Sequence, residues 1–301
     1  MKLDVEGAPF PHILLAINFN FPYYKQIPLL IEYYRPIFPN YMICGPEFHQ
    51  HGTYNVVKID QIKPEYGYYG TQCLVEAIRR NPGFQGYLYV NDDMIINWWN
   101  FLNLNPEKIW FPFSREQFGK YKMGTKLSNW WKRASCGKKC TDLYAAMEKN
   151  RTFADLGIFQ IYQKNVDNER VCVNGLSDIV YIPARHTKNF VMISQLFYDH
   201  RLFLEVALPM ALFFLEDLSN LSVIKGIYLQ RKYHYGHWTF ETTTAWKDYH
   251  YDYFFLHPYK FTGNNRKKNS KEFKDRIESV SKRILRDRCL DVLVPRRNPI
   301  F

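Results

Sequence analysis

No stretch of this sequence is apolar for long enough to cross a membrane. The longest run without a formal charge, Gly7 to Tyr24, is cut by Pro9, Pro11 and Pro22 and carries Asn18 and Asn20. It falls short of the roughly 20 consecutive apolar residues that a helical span needs. Nor does any segment have the basic start, apolar middle and small-residue exit of a signal peptide. There is no internal repeat and no low-complexity tract. Charge is not in excess either: charged residues make up 23% and hydrophobic residues 47% of 301, a balance that excludes wholesale disorder. Cysteine pairs are scarce. Only Cys136 and Cys140 lie close together, and without a second pair at ligand spacing a zinc ribbon is not supported.

Aromatic residues are abundant, at 18% with 23 Tyr and 23 Phe, enough to build a large core and to line a groove with rings. The net charge of +11 is unevenly placed. Arg115 to Lys139 and Asn264 to Phe301 each net +7, so the remaining body is slightly acidic. That differs from a nucleic-acid binder, which is basic over a whole face. A solvated loop and a solvated tail account for the two segments equally well. Cys44, Cys73 and Cys172 sit in apolar contexts and read as buried free thiols, whereas Cys136 and Cys140 read as a candidate small disulfide loop. The sequons Asn150-Arg-Thr152 and Asn220-Leu-Ser222 permit glycosylation if the chain is secretory; the compartment, Golgi or endoplasmic reticulum lumen against cytoplasm, stays open.

Alternation of elements gives the fold class. His12 to Asn18 reads as a buried strand. Tyr24 to Arg35 carries the i, i+3, i+4, i+7 stripe of a helix in Ile27, Leu30, Ile31 and Tyr34, and Pro36 ends it. Tyr41 to Cys44 and Tyr54 to Ile59 follow as strands. Gly70 to Arg80 reads as a helix that Asn81-Pro-Gly83 stops, and Gly86 to Asn91 is a strong β run. Leu156 to Gln163 and Asp178 to Pro183 are expected as strands. Lys188 to His200 and Phe203 to Leu218 are expected as helices, the second interrupted near Pro209. Gly226 to Gln230 is a short strand. The spacing of Phe273, Ile277, Val280 and Ile284 predicts a basic amphipathic helix near the end. The whole reads as an α/β domain with a mostly parallel sheet flanked by helices over residues 1–262, then a basic C-terminal helical appendage over residues 263–301.

The β run ends in Asn91-Asp92-Asp93, and ligands gather at the carboxyl ends of strands in such sheets. Two adjacent acids there are costly to desolvate without a cation between them. A divalent ion bridging phosphates is one answer; an Asx turn capping the next segment is the other.

This order of elements ending in a carboxylate pair resembles the metal-dependent glycosyltransferases of the GT-A, Rossmann-like fold. The likeness covers residues 12 to 262, and exostosin-like transferases are the nearest named pattern. It implies that Asn91-Asp92-Asp93 stands where that superfamily carries its Asp-x-Asp motif, with Asn174 to Ser177 as the glycine turn near the acceptor. It further implies that Phe203-Leu204-Glu205 matches the later acidic motif, although Val206 replaces its second acid, and that His257 completes the metal shell.

On that resemblance, Asp93 and His257 would hold Mn²⁺ or Mg²⁺. Asn18, Asn91, Asp92 and Lys260 would bind a nucleotide-sugar donor, UDP-sugar favoured, with the Ala16 to Tyr23 loop on the nucleotide. Glu205 would face the hydroxyl of a glycan, protein or other acceptor. No stable nucleic-acid partner is expected. Two rivals stand beside this reading: a non-catalytic GT-A-like binding or scaffold domain, and a nucleic-acid binder using the basic segments. The histidines His234, His237, His250 and His257, with Asp248 and Asp252, also admit a zinc site, though interleaved rings favour packing. Trp98-Trp99 and Trp130-Trp131 are open to sugar stacking or core packing, and Arg115 to Lys139 is expected to be a mobile lid.

Overall fold

The computed structural model describes residues 7–51, 54–59, 71–123, 136–229, 231–234, 237–240, 246–247, 249–262 and 266–293. Its strands are β1 (Ile13–Asn18), β2 (Tyr41–Gly45), β3 (His49–His51), β4 (Tyr54–Lys58), β5 (Gly86–Asn91), β6 (Ile95–Ile96), β7 (Trp110–Phe111) and β8 (Gly119–Lys122), followed by β9 (Val171–Asn174), β10 (Ile179–Pro183), β11 (Ser222–Val223), β12 (Ile227–Tyr228), β13 (Arg231–His234), β14 (His237–Phe240) and β15 (Phe255–His257). Its helices are α1 (Ile27–Tyr34), α2 (Thr71–Arg80), α3 (Cys136–Lys149), α4 (Arg151–Asp155), α5 (Ile158–Asn165), α6 (Thr187–Asp199) and α7 (Leu204–Leu215). A last helix, α8, runs from Arg266 to Leu293 through a π turn at Lys274–Glu278.

Eight strands form one sheet in the order β11-β7-β10-β5-β1-β2-β4-β3. The central four, β5, β1, β2 and β4, are parallel. The sheet as a whole is mixed rather than mostly parallel, because β10 enters antiparallel between β5 and β7 and β3 folds back on β4. β1 and β5 are buried at every position, as strands covered on both faces must be. Their side chains alternate between two cores. Leu14 and Ala16 join the face covered by α2, α6 and α7, while Ile13, Leu15 and Ile17 join the face covered by α1 and α8. Phe273 and Ile277 of α8 are buried in that second core, so the basic helix is fastened to the body along the apolar stripe the sequence carries.

Leu156 to Gln163 is helical, not a strand. Gly157 takes a left-handed φ of 69° and starts α5, whose Ile158 and Tyr162 are buried four residues apart. Helix α7 passes Pro209 without a break. A proline has no N–H to give the carbonyl four residues back, which here is that of Glu205, and the Gly175 N–H takes its place at 3.0 Å. A Cβ on Gly175 would lie 3.0 Å from the Phe113 ring, so this close approach suits glycine.

Cys44, Cys73 and Cys172 are not free thiols, and Cys140 closes no local loop with Cys136. Cys44 is bonded to Cys73 and Cys140 to Cys172. Cys136 and Cys140 are on one helical turn, and Cys140 faces inward to strand β9. Where it is described, the basic segment from Arg115 carries secondary structure. Arg115 meets Asp167 at 2.7 Å, β8 pairs with β9, and α3 begins at Cys136. Residues 124–135, with Trp130 and Trp131, lie outside the described residues.

Candidate active site

Parallel pairing sets Asn18 at the end of β1 opposite Asn91 at the end of β5. The chain then turns. The Asp92 N–H donates to the Asn18 carbonyl at 2.9 Å, and the Asn91 N–H donates to the Asp178 carbonyl at 3.0 Å. Because β10 is antiparallel to β5, its first residues lie beside the last of β5. That brings Asp178, which the sequence reading did not single out, to the acid pair. Asn91 is the hub: its Oδ1 accepts from Tyr89 at 2.8 Å and its Nδ2 donates to Asp178 Oδ1 at 2.8 Å.

The basic partners arrive from β15. Its antiparallel register on β6, with Phe255 opposite Ile96 and Leu256 opposite Ile95, carries His257 back to the acids. The Tyr259 N–H clamps the Asp93 carbonyl at 2.7 Å. His257 Nε2 lies 3.2 Å from Asp93 Oδ1 and 3.4 Å from Asp178 Oδ1, and Lys260 Nζ pairs with Asp93 Oδ2. Asp92 turns the other way and accepts from Gln26 at the foot of α1.

Asn18, Asn91, Asp92 and Asp93 are all buried, and burial sets the electrostatics. Burial and then the neighbouring Asp93 charge push the Asp92 carboxyl up to about 7. Burial acts on Asp93 too, but Lys260 and His257 outweigh it and hold this carboxyl well below the ordinary range. Burial raises Asp178, against the pull of His257. Desolvation disfavours the charged forms of His257 and Lys260, yet the carboxylates win and raise both. Asp93 is therefore the firmly ionised acid and Asp92 the one that shares its charge with a proton.

Glu205 is half-buried at the start of α7, tied by its carbonyl to the Gly175 turn. Burial and then the charges of Asp178 and Glu205 raise the Tyr228 phenol, and the Tyr228 ring stands edge-on to His257 at 5.7 Å. Glu205 thus acts on Tyr228 through its charge, and Tyr228 in turn meets the His257 ring. Arg185, a conceivable partner for Glu205, is paired with Glu216 instead. Trp98 is a core residue, fully buried with its Nε1 donating to Ser281 of α8 at 2.7 Å. Trp99 Nε1 donates to the Tyr251 carbonyl at 2.9 Å. The side chains of His234, His237 and Asp248 lie outside the described residues.

Around the start of α1 opens a cavity of about 680 Å³ lined by Pro22, Tyr24, Lys25, Ile27, Pro28, Glu47, His49, Tyr54 and Arg266. Tyr24 stacks on His49 with ring centroids 4.9 Å apart. Burial raises its phenol, and its hydroxyl donates to the Glu47 carbonyl at 2.8 Å. The volume suits a small-molecule ligand.

Among the described residues, no three His, Cys, Asp or Glu side chains already enclose a point fit for a metal ion. The donor chemistry nevertheless fits a hard divalent cation. Two carboxylates and an imidazole face one another, and His257 Nδ1 and Asn18 Oδ1 are buried without a hydrogen-bond partner among the described residues. An ion that bridges a nucleoside diphosphate takes several ligands from phosphate and water, so a preformed protein cage is not required.

Comparison with known proteins gives one curated relative, "Probable glycosyltransferase STELLO1" of Arabidopsis thaliana, 24% identical over 155 residues. The match covers 51% of this chain, which spans about a fifth of that relative's length (19%). No family model matches the chain. No solved structure matches it either.

Proposed function

We propose that this chain is a glycosyltransferase domain of GT-A type. It would move a sugar from a nucleotide-diphosphate sugar, a UDP-sugar by preference, to an acceptor hydroxyl. The observation that carries the reading is the meeting of Asp92, Asp93, Asp178, His257 and Lys260 at the carboxyl ends of β1 and β5, where α/β sheets bind their ligands. The distant similarity to a plant protein named as a glycosyltransferase supports it.

Asp93 and His257, with Asp178 beside them, would hold Mn²⁺ or Mg²⁺. Such an ion supplies positive charge to the departing diphosphate. The remaining work belongs to the chain itself. The cavity beside Tyr24 and His49 takes the nucleoside, and Asn18 and Asn91 keep the strand ends and their acids in register. Lys260 offers a point charge that can pass from Asp93 to a phosphate oxygen. Glu205 takes the proton of the acceptor hydroxyl in an inverting reaction, or stabilises the sugar cation in a retaining one.

Preferential binding to the folded chain must appear as stabilisation. UDP is expected to raise the melting temperature with Mn²⁺ or Mg²⁺ present and to have little effect in EDTA. Asp93→Asn should remove most of the gain, and His257→Ala less, because an acid supplies charge and an imidazole one replaceable ligand. Equal shifts with and without EDTA would refute the metal-bridged site. Metal-dependent UDP binding without hydrolysis or transfer of any UDP-sugar would favour a non-catalytic binding domain.

A further inference from the structure

Cys44, Cys73, Cys140 and Cys172 are joined in two disulfides and are all buried, none more than 5% exposed. Sulfurs so enclosed are out of reach of an oxidant once the chain has folded. The bonds must therefore form during folding, where thiol oxidation is supported. A reducing cytosol keeps such thiols reduced, whereas the secretory lumen oxidises them. This fixes the condition on which the two sequons depend.

The sequons differ in the folded chain. Asn150, which caps α4 from the single-residue gap after α3, and Arg151 and Thr152 of the first turn of α4 are all exposed, and the Asn150 Oδ1 accepts the Thr152 N–H at 3.0 Å. A large polar adduct on Asn150 Nδ2 would project into solvent. Asn220 is placed otherwise. Its Nδ2 donates to Glu216 Oε1 at 3.2 Å, Leu221 is buried, and Ser222 lies in β11 against Trp110.

We propose that Asn150 is an N-glycosylation site and that the chain folds in the oxidising secretory lumen. The donor is an oligosaccharide linked through a diphosphate to a lipid, handled by a lumenal transferase. A bond forms from Asn150 Nδ2 to the anomeric carbon as the bond from that carbon to the diphosphate oxygen breaks. The lipid diphosphate leaves with the electron pair, and the amide proton passes to a base of the transferase.

The test uses the full protein isolated from the cells that make it, with free thiols alkylated at lysis. Peptide N-glycosidase treatment in heavy-oxygen water turns a glycosylated asparagine into a labelled aspartate, read by peptide mass spectrometry. The expected result is label at Asn150, no alkylation of Cys44, Cys73, Cys140 or Cys172, and loss of the glycan mass in Asn150→Gln. Alkylation of those four cysteines would overturn the lumenal assignment and the glycan with it. Paired cysteines with an unlabelled Asn150 would overturn the glycan alone.

Discussion

Asp93 is held by two basic groups, Lys260 and His257, against the charge of its neighbouring acids. Lys260 keeps a side chain that is 40% exposed while its ammonium pairs with an acid that is 9% exposed. Breaking a buried ion pair from one side costs several kcal/mol; with the partial exposure of Lys260, Lys260→Met should cost about 2–3 kcal/mol. A divalent ion on Asp93 would replace the lost charge, so Mn²⁺ should stabilise this variant more than the parent. Equal Mn²⁺ effects in thermal melts would remove Asp93 as a ligand. A second, partly exposed network follows the end of β10, at the opposite end of β5 from the acids, and contributes to the acid limit. Burial raises the Glu216 carboxyl, but Arg185 and Asn220 outweigh it and leave it below its ordinary 4.5. Burial, and then Arg185, hold His186 below its ordinary 6.5 despite Glu216 at 3.2 Å. In both cases the unfolded chain binds a proton more readily than the folded one, so stability rises with pH across each window. Lowering the pH from neutral to 4 should withdraw the His186 contribution below about 6.5 and the Glu216 contribution below about 4.5. The raised Asp92, Asp178 and His257 run in the opposite direction, and Glu216→Gln isolates the Glu216 part of the melting temperature. Glu216→Gln should lower it at pH 7 and flatten the fall below pH 5; an unaltered acid slope would show that other groups set it.

Elements make the site by where they end. Helix α1 does so twice, since its Tyr33 and Tyr34 hydroxyls donate to the carbonyls of Ile96 and Met94 at 2.8 and 3.0 Å, pinning the segment just after the acids. Tyr33 in turn rests edge-on against Phe273 of α8 at 5.0 Å, and Phe261 closes the other side at 5.3 Å. Phe273→Ala should therefore cost about 3–5 kcal/mol, the usual loss for a buried ring, and should loosen the Asp92-Asp93 turn through Tyr33. Retained stability in urea melts would mean that α8 is not part of the cooperative unit. What the sequence allowed to be read follows from the same logic. β1, β5, α2 and α6 were legible because each buries a pattern that its own residues carry, and the resemblance to GT-A transferases singled out Asp93, His257 and Lys260, whose side chains meet in the fold. Asp178 was not legible, because only the antiparallel insertion of β10 beside β5 brings it to the acids. The sole local signal was an acid opening an apolar strand after a glycine turn. Helix α5 was misread because its apolar residues are short-spaced, and its start depends on the left-handed Gly157.

At the scale of the whole molecule, the two disulfides tie separate layers together. Cys44–Cys73 joins the end of β2 to the first turn of α2, closing 29 residues, and Cys140–Cys172 joins α3 to β9, closing 32. In the chain-entropy model, loops of this size remove freedom mainly from the unfolded state and contribute about 3–4 kcal/mol each. Folded domains are stable by only about 5–15 kcal/mol in total, so losing both bonds should leave the chain close to unfolding at body temperature. Burial of all four sulfurs adds a kinetic expectation. A thiol reductant should act slowly on the native protein, at a rate set by local or global opening rather than by reductant concentration. Once denaturant exposes the bonds, reduction should be fast. Cys73→Ala and Cys172→Ala, each freeing one partner, should lower the melting temperature singly and lower it further together. The loops they open do not overlap in sequence, so their losses should be close to additive. Reduction of the native protein that is immediate and proportional to reductant would show that the sulfurs are accessible. That result would also allow the bonds to form after folding, and the link between these disulfides and the folding compartment would no longer hold.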